Sequence, residues 1–275
     1  MERLKGSVRW VVVTVGIILL TSFSIDAALT PSGFSQSALG ILASGAVSKP
    51  TCQSGMALVE SSDKKLCVDI FEASPDASCP SPQVSNTLDT RTNIDSESCV
   101  PKSTDSVLPW VYVTYHQAKE LCAKSGARLP TSEEWYTFSI GSPDTSACNT
   151  NSSGLIPSSN DTKCVNAFGV HDAIGNAWEW VDGVVKDGKY NEHILPASGY
   201  VVSANEHGLA TVTHPDAPNA DFHEDYFWSD KNGEFGMLRG GFYASGKDAG
   251  LYSVQAKTPL AFASGAIGFR CVKNL

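Results

Sequence analysis

The string in this chain most able to do chemistry is Asn166-Ala-Phe-Gly-Val-His-Asp172-Ala-Ile-Gly175-Asn-Ala177-Trp178-Glu179-Trp180. Two tryptophans flank a carboxylate, and Asp172 and Glu179 bracket a glycine-containing turn whose carbonyls can point inward. A hard cation such as calcium takes about six to eight oxygens from carboxylates and backbone carbonyls, and such a turn can supply several of them. The same residues also read as an ordinary acidic turn, with Glu179 accepting a backbone N–H and the indoles filling core. His207, His214 and His223 match no zinc-ligand spacing and read as loop residues. Tyr226-Phe227-Trp228, beside Glu224 and Asp225, is an aromatic knot that serves as core, or as a recognition anchor where exposed.

The second chemically open stretch is Arg239 to Cys271. Gly240 and Gly241 allow a tight bend after a strand ending near Leu238. The residues that follow are small or flexible up to Pro259 and beyond, which suits an irregular surface segment. Loops held by a rigid scaffold are where binding groups concentrate.

Positioning such sites needs a core, and 275 residues at 42% hydrophobic supply one large domain or two small ones. The net charge of −9 argues against a nucleic-acid backbone as partner, because that binding runs on Lys and Arg. Residues 1–28 have a basic leader, an apolar run and a small-residue exit, the form of a signal peptide or, if uncleaved, an N-terminal membrane anchor. Either makes the chain exported, secreted or cell-surface anchored, with membrane contact only through that segment. Residues 29–50 read as a Ser/Ala/Gly-rich linker, and a domain spans 51–275.

Eight cysteines agree with export, and none shows CxxC spacing. Sequence alone leaves about 105 connectivities open. Proximity favours Cys52–Cys67, Cys79–Cys99 and Cys148–Cys164, which leaves Cys122 with Cys271.

The elements follow in order. Met56–Glu60 and Leu66–Phe71 read as a hairpin, and residues 74–108 as a long loop stapled by Cys79 and Cys99. Thr114 caps a predicted helix over Tyr115, Ala118, Leu121 and Cys122, with Gly126 ending it. Thr131 and Glu134 form a capping box that starts a second short helix ending at Gly141. Residues 142–165 are loop, and Asn151-Ser-Ser and Asn160-Asp-Thr within it have the form of N-glycosylation acceptors.

Six ordered strings resemble the formylglycine-generating enzyme (sulfatase-modifying factor) family: Cys67-Val-Asp-Ile-Phe-Glu72, the Ala118–Cys122 helix, Arg128-Leu-Pro-Thr-Ser-Glu-Glu-Trp135, Gly175-Asn-Ala-Trp-Glu-Trp180, Leu238-Arg-Gly-Gly241 and Gly268-Phe-Arg-Cys271. The resemblance implies an α+β fold of C-type lectin-like topology, much of it irregular and stapled by disulfides. It also implies a Cys122–Cys271 bridge, and calcium held by Asp172, the carbonyls of Gly175 and Ala177, and Glu179. The oxygenase members bind copper through two cysteines, and alignment on Arg239-Gly-Gly241 puts Ser245 and Gly250 at those places. A hydroxyl and a hydrogen cannot replace two thiolates, so no copper is expected.

The end of the chain also resembles the variable proteins of diversity-generating retroelements, which share the fold, at Arg239-Gly-Gly, Ala249-Gly-Leu-Tyr252 and Ile267-Gly-Phe-Arg-Cys271. That resemblance implies a non-catalytic module. Its ligand-facing positions would be Phe242, Tyr243, Ala244, Ser245, Lys247, Asp248, Tyr252, Ser253, Gln255 and Lys257, with Trp228 beside them. The expected partner is a protein or cell-surface ligand, and the alternative is a metal-dependent oxidoreductase of the same superfamily.

Overall fold

The strand Trp178–Lys186 (β5) is buried on both faces along its first half, and the rest of the molecule is arranged about it. Trp178 and Trp180 enter one hydrophobic cluster with Trp110, Leu121, Leu238 and Phe269. Val181 and Val185 enter the other with Trp135, Phe138, Phe227 and Met237. Alternation along one strand thus feeds two cores from opposite faces of a sheet.

The computed structural model describes residues 51–61, 64–143 and 145–275. The leader and linker expected over residues 1–50 lie outside the described residues, and Thr51–Leu275 forms one unit. Met56–Glu60 (β1) and Lys65–Asp69 (β2) form the expected antiparallel hairpin, extended by the C-terminal strand Val272–Asn274 (β14). Ala73–Pro75 (β3) pairs with Pro101–Ser103 (β4).

The main sheet is mixed. It runs in the order His193–Ile194 (β7), Lys189–Tyr190 (β6), β5, Glu234–Arg239 (β11), Val254–Thr258 (β12), Tyr226–Ser229 (β10), Gly199–Ala204 (β8), Ala210–His214 (β9). Ile267–Phe269 (β13) runs parallel to β5. Among the described residues no helix is long and apolar enough to cross a membrane.

Among the described residues three short α-helices flank the sheets. Tyr115–Lys124 (α2) is started by Thr114, whose hydroxyl accepts from Gln117 N–H while Gln117 accepts from Thr114 N–H. Ser132–Ser139 (α3) carries the expected capping box between Thr131 and Glu134, and Arg128 locks Glu134 with two further hydrogen bonds. The reading of 74–108 as loop alone is corrected by Thr87–Asp95 (α1). Its core side is polar: buried Thr90 accepts from Trp110 Nε1, and Asn93 bonds Ser81 in both directions. With no apolar stripe to reveal it, the helix is marked in sequence only by its cap, Asn86, which accepts from Leu88 and Asp89 N–H.

All four disulfides join the expected partners. Three close short loops, whereas Cys122–Cys271 spans 149 residues and ties α2 to the strand that returns from β13. In the chain-entropy model the long closure stabilises more than the 20-residue Cys79–Cys99 loop by about 2 kcal/mol. Replacing Cys122 and Cys271 by Ser is therefore expected to lower stability by about 4 to 5 kcal/mol, against about 3 for the Cys79/Cys99 pair. Urea midpoints of the two double variants check the order.

Candidate functional site

The acidic turn packs around one guanidinium. Glu179 and Arg270 are both fully buried, and Arg270 Nε and Nη2 reach the two Glu179 oxygens at 2.5–2.9 Å. Glu179 Oε2 also accepts from Trp135 Nε1 at 2.7 Å. Arg270 spends its other donors on the carbonyls of Asp69 and His171. Burial lowers the guanidinium's affinity for its proton, but the Glu179 carboxylate more than offsets this. Glu179 thus holds the C-terminal strand, the β1–β2 hairpin and α3 to the central sheet.

Two more carboxylates stand beside this pair. Glu72 accepts from Ala177 N–H at 3.0 Å, Asn176 Nδ2 at 2.5 Å and Ser158 Oγ at 3.1 Å. Burial, then the charges of Asp172 and Glu179, push its carboxyl well above the usual range. Asp172, in a left-handed conformation (φ 53°), accepts from Ser159 N–H through Oδ2, while Oδ1 is buried without a hydrogen-bond partner. Burial raises Asp172 to about 6. Three carboxylates therefore share one guanidinium, and the orphaned Asp172 oxygen in that negative surrounding fits a cation. Glu179 does not offer an open carboxylate, because Arg270 and Trp135 take both oxygens. Of the expected calcium ligands, Asp172 keeps one oxygen without a hydrogen-bond partner, and Glu179 has both of its oxygens engaged.

The turn holds the C-terminal segment directly. Gly175 N–H donates to Gly240 O, and Tyr243 N–H donates to Asn176 O. Ser152 and Gly246 N–H groups complete the seat on Tyr243 O and Thr150 O. Gly240 and Gly241 adopt φ near +90°, and a Cβ on Gly240 would strike the Ala173 carbonyl, so only glycine makes this bend against the turn.

Beyond the bend the candidate ligand positions divide. Phe242 and Tyr243 are half-buried with rings 5.0 Å apart, and Lys247 is exposed and paired with Glu224 at 2.9 Å. Ala244 is exposed and Asp248 half-buried. Ser245 Oγ accepts from Phe242 N–H and closes the turn. Gln255 and Lys257 alternate outward on β12 between buried Val254, Ala256 and Thr258. Tyr252 packs against Phe222 and Tyr136 at 5.0 and 5.9 Å. Ser253 is corrected: it is fully buried where the chain enters β12, and cannot face a ligand. Of the aromatic knot, Phe227 is core, whereas Tyr226 and Trp228 are half-buried on the other face. His207 and His223 are exposed on separate turns and His214 is exposed at the end of β9, and no metal-holding group of His, Cys, Asp and Glu occurs among the described residues.

The copper positions do not fit copper. Ser245 Oγ is engaged in its turn, and a Cβ on Gly250 would collide with the Asp225 carboxylate, which also accepts from Tyr252 N–H at 2.7 Å. A hard carboxylate fills the place of a soft thiolate. Sequence reading missed Asp225 in this role, and it missed Glu72 and Arg270 as the partners of the turn. Glu72 and Arg270 were visible only as members of motifs, with no signal of which residues they meet.

The geometry is that of an α+β, C-type lectin-like domain whose irregular C-terminal segment is clamped to a buried acidic turn. Residues 140–275 match the family model of the Sulfatase-modifying factor enzyme 1-like domain. No curated protein matches the sequence. Among solved structures, the Major Tropism Determinant P3c variant is similar at 17% identity and TM-score 0.46, covering 81% of this chain and 53% of its own. PvdO from Pseudomonas aeruginosa shows 14% identity and TM-score 0.44 over 80% and 90% of the two chains. Treponema denticola variable protein 1 shows 14% and 0.42 over 82% and 94%. The chain thus spans about half the length of the Major Tropism Determinant chain.

Asp69, beside the ion pair, gives this site a pH signature. Burial raises it to about 7, although its Oδ2 accepts from Cys271 N–H. A carboxyl raised in the fold favours folding while protonated, so its contribution is present below about pH 4 and is lost as pH rises to about 7. Asp69→Asn, which retains an acceptor, is expected to gain on wild type by up to about 1.4 kcal/mol per pH unit across that window and to run parallel above it. Urea midpoints measured through the window check the slope.

Proposed function

We propose that this chain is an exported, non-catalytic binding module that presents the outward-facing side chains of residues 242–257, without Ser253, together with Trp228 to a protein or cell-surface ligand. The observation that carries the reading is the Asp225 carboxylate in the space a second copper thiolate would need, over a scaffold that is otherwise intact. Half-buried Phe242, Tyr243 and Trp228 supply apolar anchors beside the exposed charge of Lys247 and Lys257, a mixture suited to recognition. Four disulfides suit an oxidising compartment, which supports export through residues 1–28. The enzymatic alternative has its own test. With copper present, the chain is expected to leave a cysteine-containing sulfatase-type peptide at its original mass, and oxidation of the cysteine would sink the binding reading. Peptides selected from a random library on the wild-type chain are expected to lose binding to Phe242→Ala/Tyr243→Ala by about tenfold or more at unchanged melting temperature. Selected peptides that ignore both substitutions would place the surface elsewhere.

We propose calcium as a structural ion at the acidic turn, held by Asp172 and the carbonyls of Gly175 and Ala177 near Glu179. Its support is the orphaned Asp172 oxygen among three buried carboxylates. An ion that binds only the folded state at about a hundredfold its Kd stabilises by about 2.7 kcal/mol. Melting is therefore expected to rise in calcium relative to chelator for wild type, and to be indifferent to calcium in Asp172→Ala. Equal wild-type melting in both conditions would remove the ion from the account.

A further inference from the structure

The aromatic row that continues the binding surface carries a chemistry of its own. Trp180, Leu238, Gln255 and Trp228 stand side by side on four adjacent strands, facing the same way. At β5 and β11 that face is core, with Trp180 and Leu238 buried. At β10 and β8 it opens, and Trp228, Tyr226 and Tyr200 are half-buried. Four rings touch in series along it. Trp178, itself buried, lies 5.7 Å edge-on from Trp228, Trp228 lies 4.7 Å from Tyr226, and Tyr226 lies 5.0 Å edge-on from its cross-strand partner Tyr200. At the inner end, Gln255 Oε1 is buried and accepts no hydrogen bond.

We infer that this row binds an extended oligosaccharide, an inference that rests on the reading of the chain as a binding module. Three features select that occupant. The strand beneath the rings, β10, is paired on both sides by β12 and β8, so it offers no edge to which a peptide could add as a strand. Proline-rich peptides also seek aromatic rows, but proline has no N–H and such a segment presents chiefly acceptors. It would leave Gln255 Oε1 buried and unmet, which costs free energy. A chain of sugar rings has the opposite character. Flat C–H faces lie on indole and phenol rings, and hydroxyls along the edges donate to the oxygen of half-buried Gln255 once that side chain turns toward them.

The test is titration of the full chain with cellohexaose and with chitohexaose, read by tryptophan fluorescence and calorimetry. Saturable binding of at least one is expected, with a fluorescence change because Trp228 lies in the row. Trp228→Ala is expected to weaken it by more than about tenfold, and Gln255→Ala by about three- to tenfold. Trp228→Phe, which keeps a ring in the same place, is expected to retain most of the affinity and serves where the alanine variant fails to fold. No saturation by either sugar at millimolar concentration overturns the inference. So does sugar binding indifferent to Trp228→Ala and Gln255→Ala, or Trp228-dependent binding of a proline-rich peptide in a chain that ignores both sugars. If sugars fail while library-selected peptides still depend on Phe242 and Tyr243, this inference alone is lost. If those peptides also ignore Phe242 and Tyr243, the reading of the surface falls with it.

Discussion

The ion pair between Arg270 and Glu179 is the interaction on which the other parts of this domain depend. Both side chains are entirely buried, and desolvating two charges is costly unless their remaining donors and acceptors are met. Here they are met by carbonyls of Asp69 and His171 and by the Trp135 indole. A guanidinium suits this task because its fork of donors reaches several acceptors at fixed angles. The pair therefore joins segments distant in sequence: the hairpin, the acidic turn, α3, the central strand and the C-terminal return. Losing one partner would strand the other charge in the core, at a cost of about 3 to 5 kcal/mol.

The same node explains why the turn is acidic beyond its needs. Glu72 orders Asn176, Ala177 and Ser158 through three hydrogen bonds, and Asp172 accepts from Ser159 N–H. One guanidinium does not balance the three carboxylates gathered there, and burial has pushed two of them toward protonation. Stability at this place is thus set by how far burial and the single guanidinium shift the charge of the carboxylates.

The C-terminal segment inherits its shape from that turn. Its first residues hang on Gly175 and Asn176, and its last return through β13 to Arg270 and the Cys122 bridge. Between these supports the backbone is fixed, while several side chains are released outward. Asp225 closes the space that a side chain at position 250 would need. The sheet face beside it passes from core to surface along one row, so apolar rings reach solvent without a break in packing.

Much of the scaffold was legible in sequence because its signals are local. Thr114 and Thr131 announced their helices through hydrogen bonds spanning three residues, and three of the disulfides close loops of 15 to 20 residues. The family strings carried the order of the elements. The helix at Thr87–Asp95 was hidden because its inward face is polar, so no periodicity marked it. Ser253 read as surface because it lies among small, polar residues, and only the approach to β12 buries it. The partners of Glu179 were beyond reach of any local pattern. Arg270 is 91 residues away and Glu72 more than a hundred from the turn it orders, and such pairings exist only once the strands are laid side by side. The sequence by itself therefore determined which segments fold and which cysteines lie near in the chain. The tertiary structure alone decided which charges share a core and which side chains of the C-terminal segment face outward, because both depend on contacts whose cost and gain appear only when distant segments are packed together.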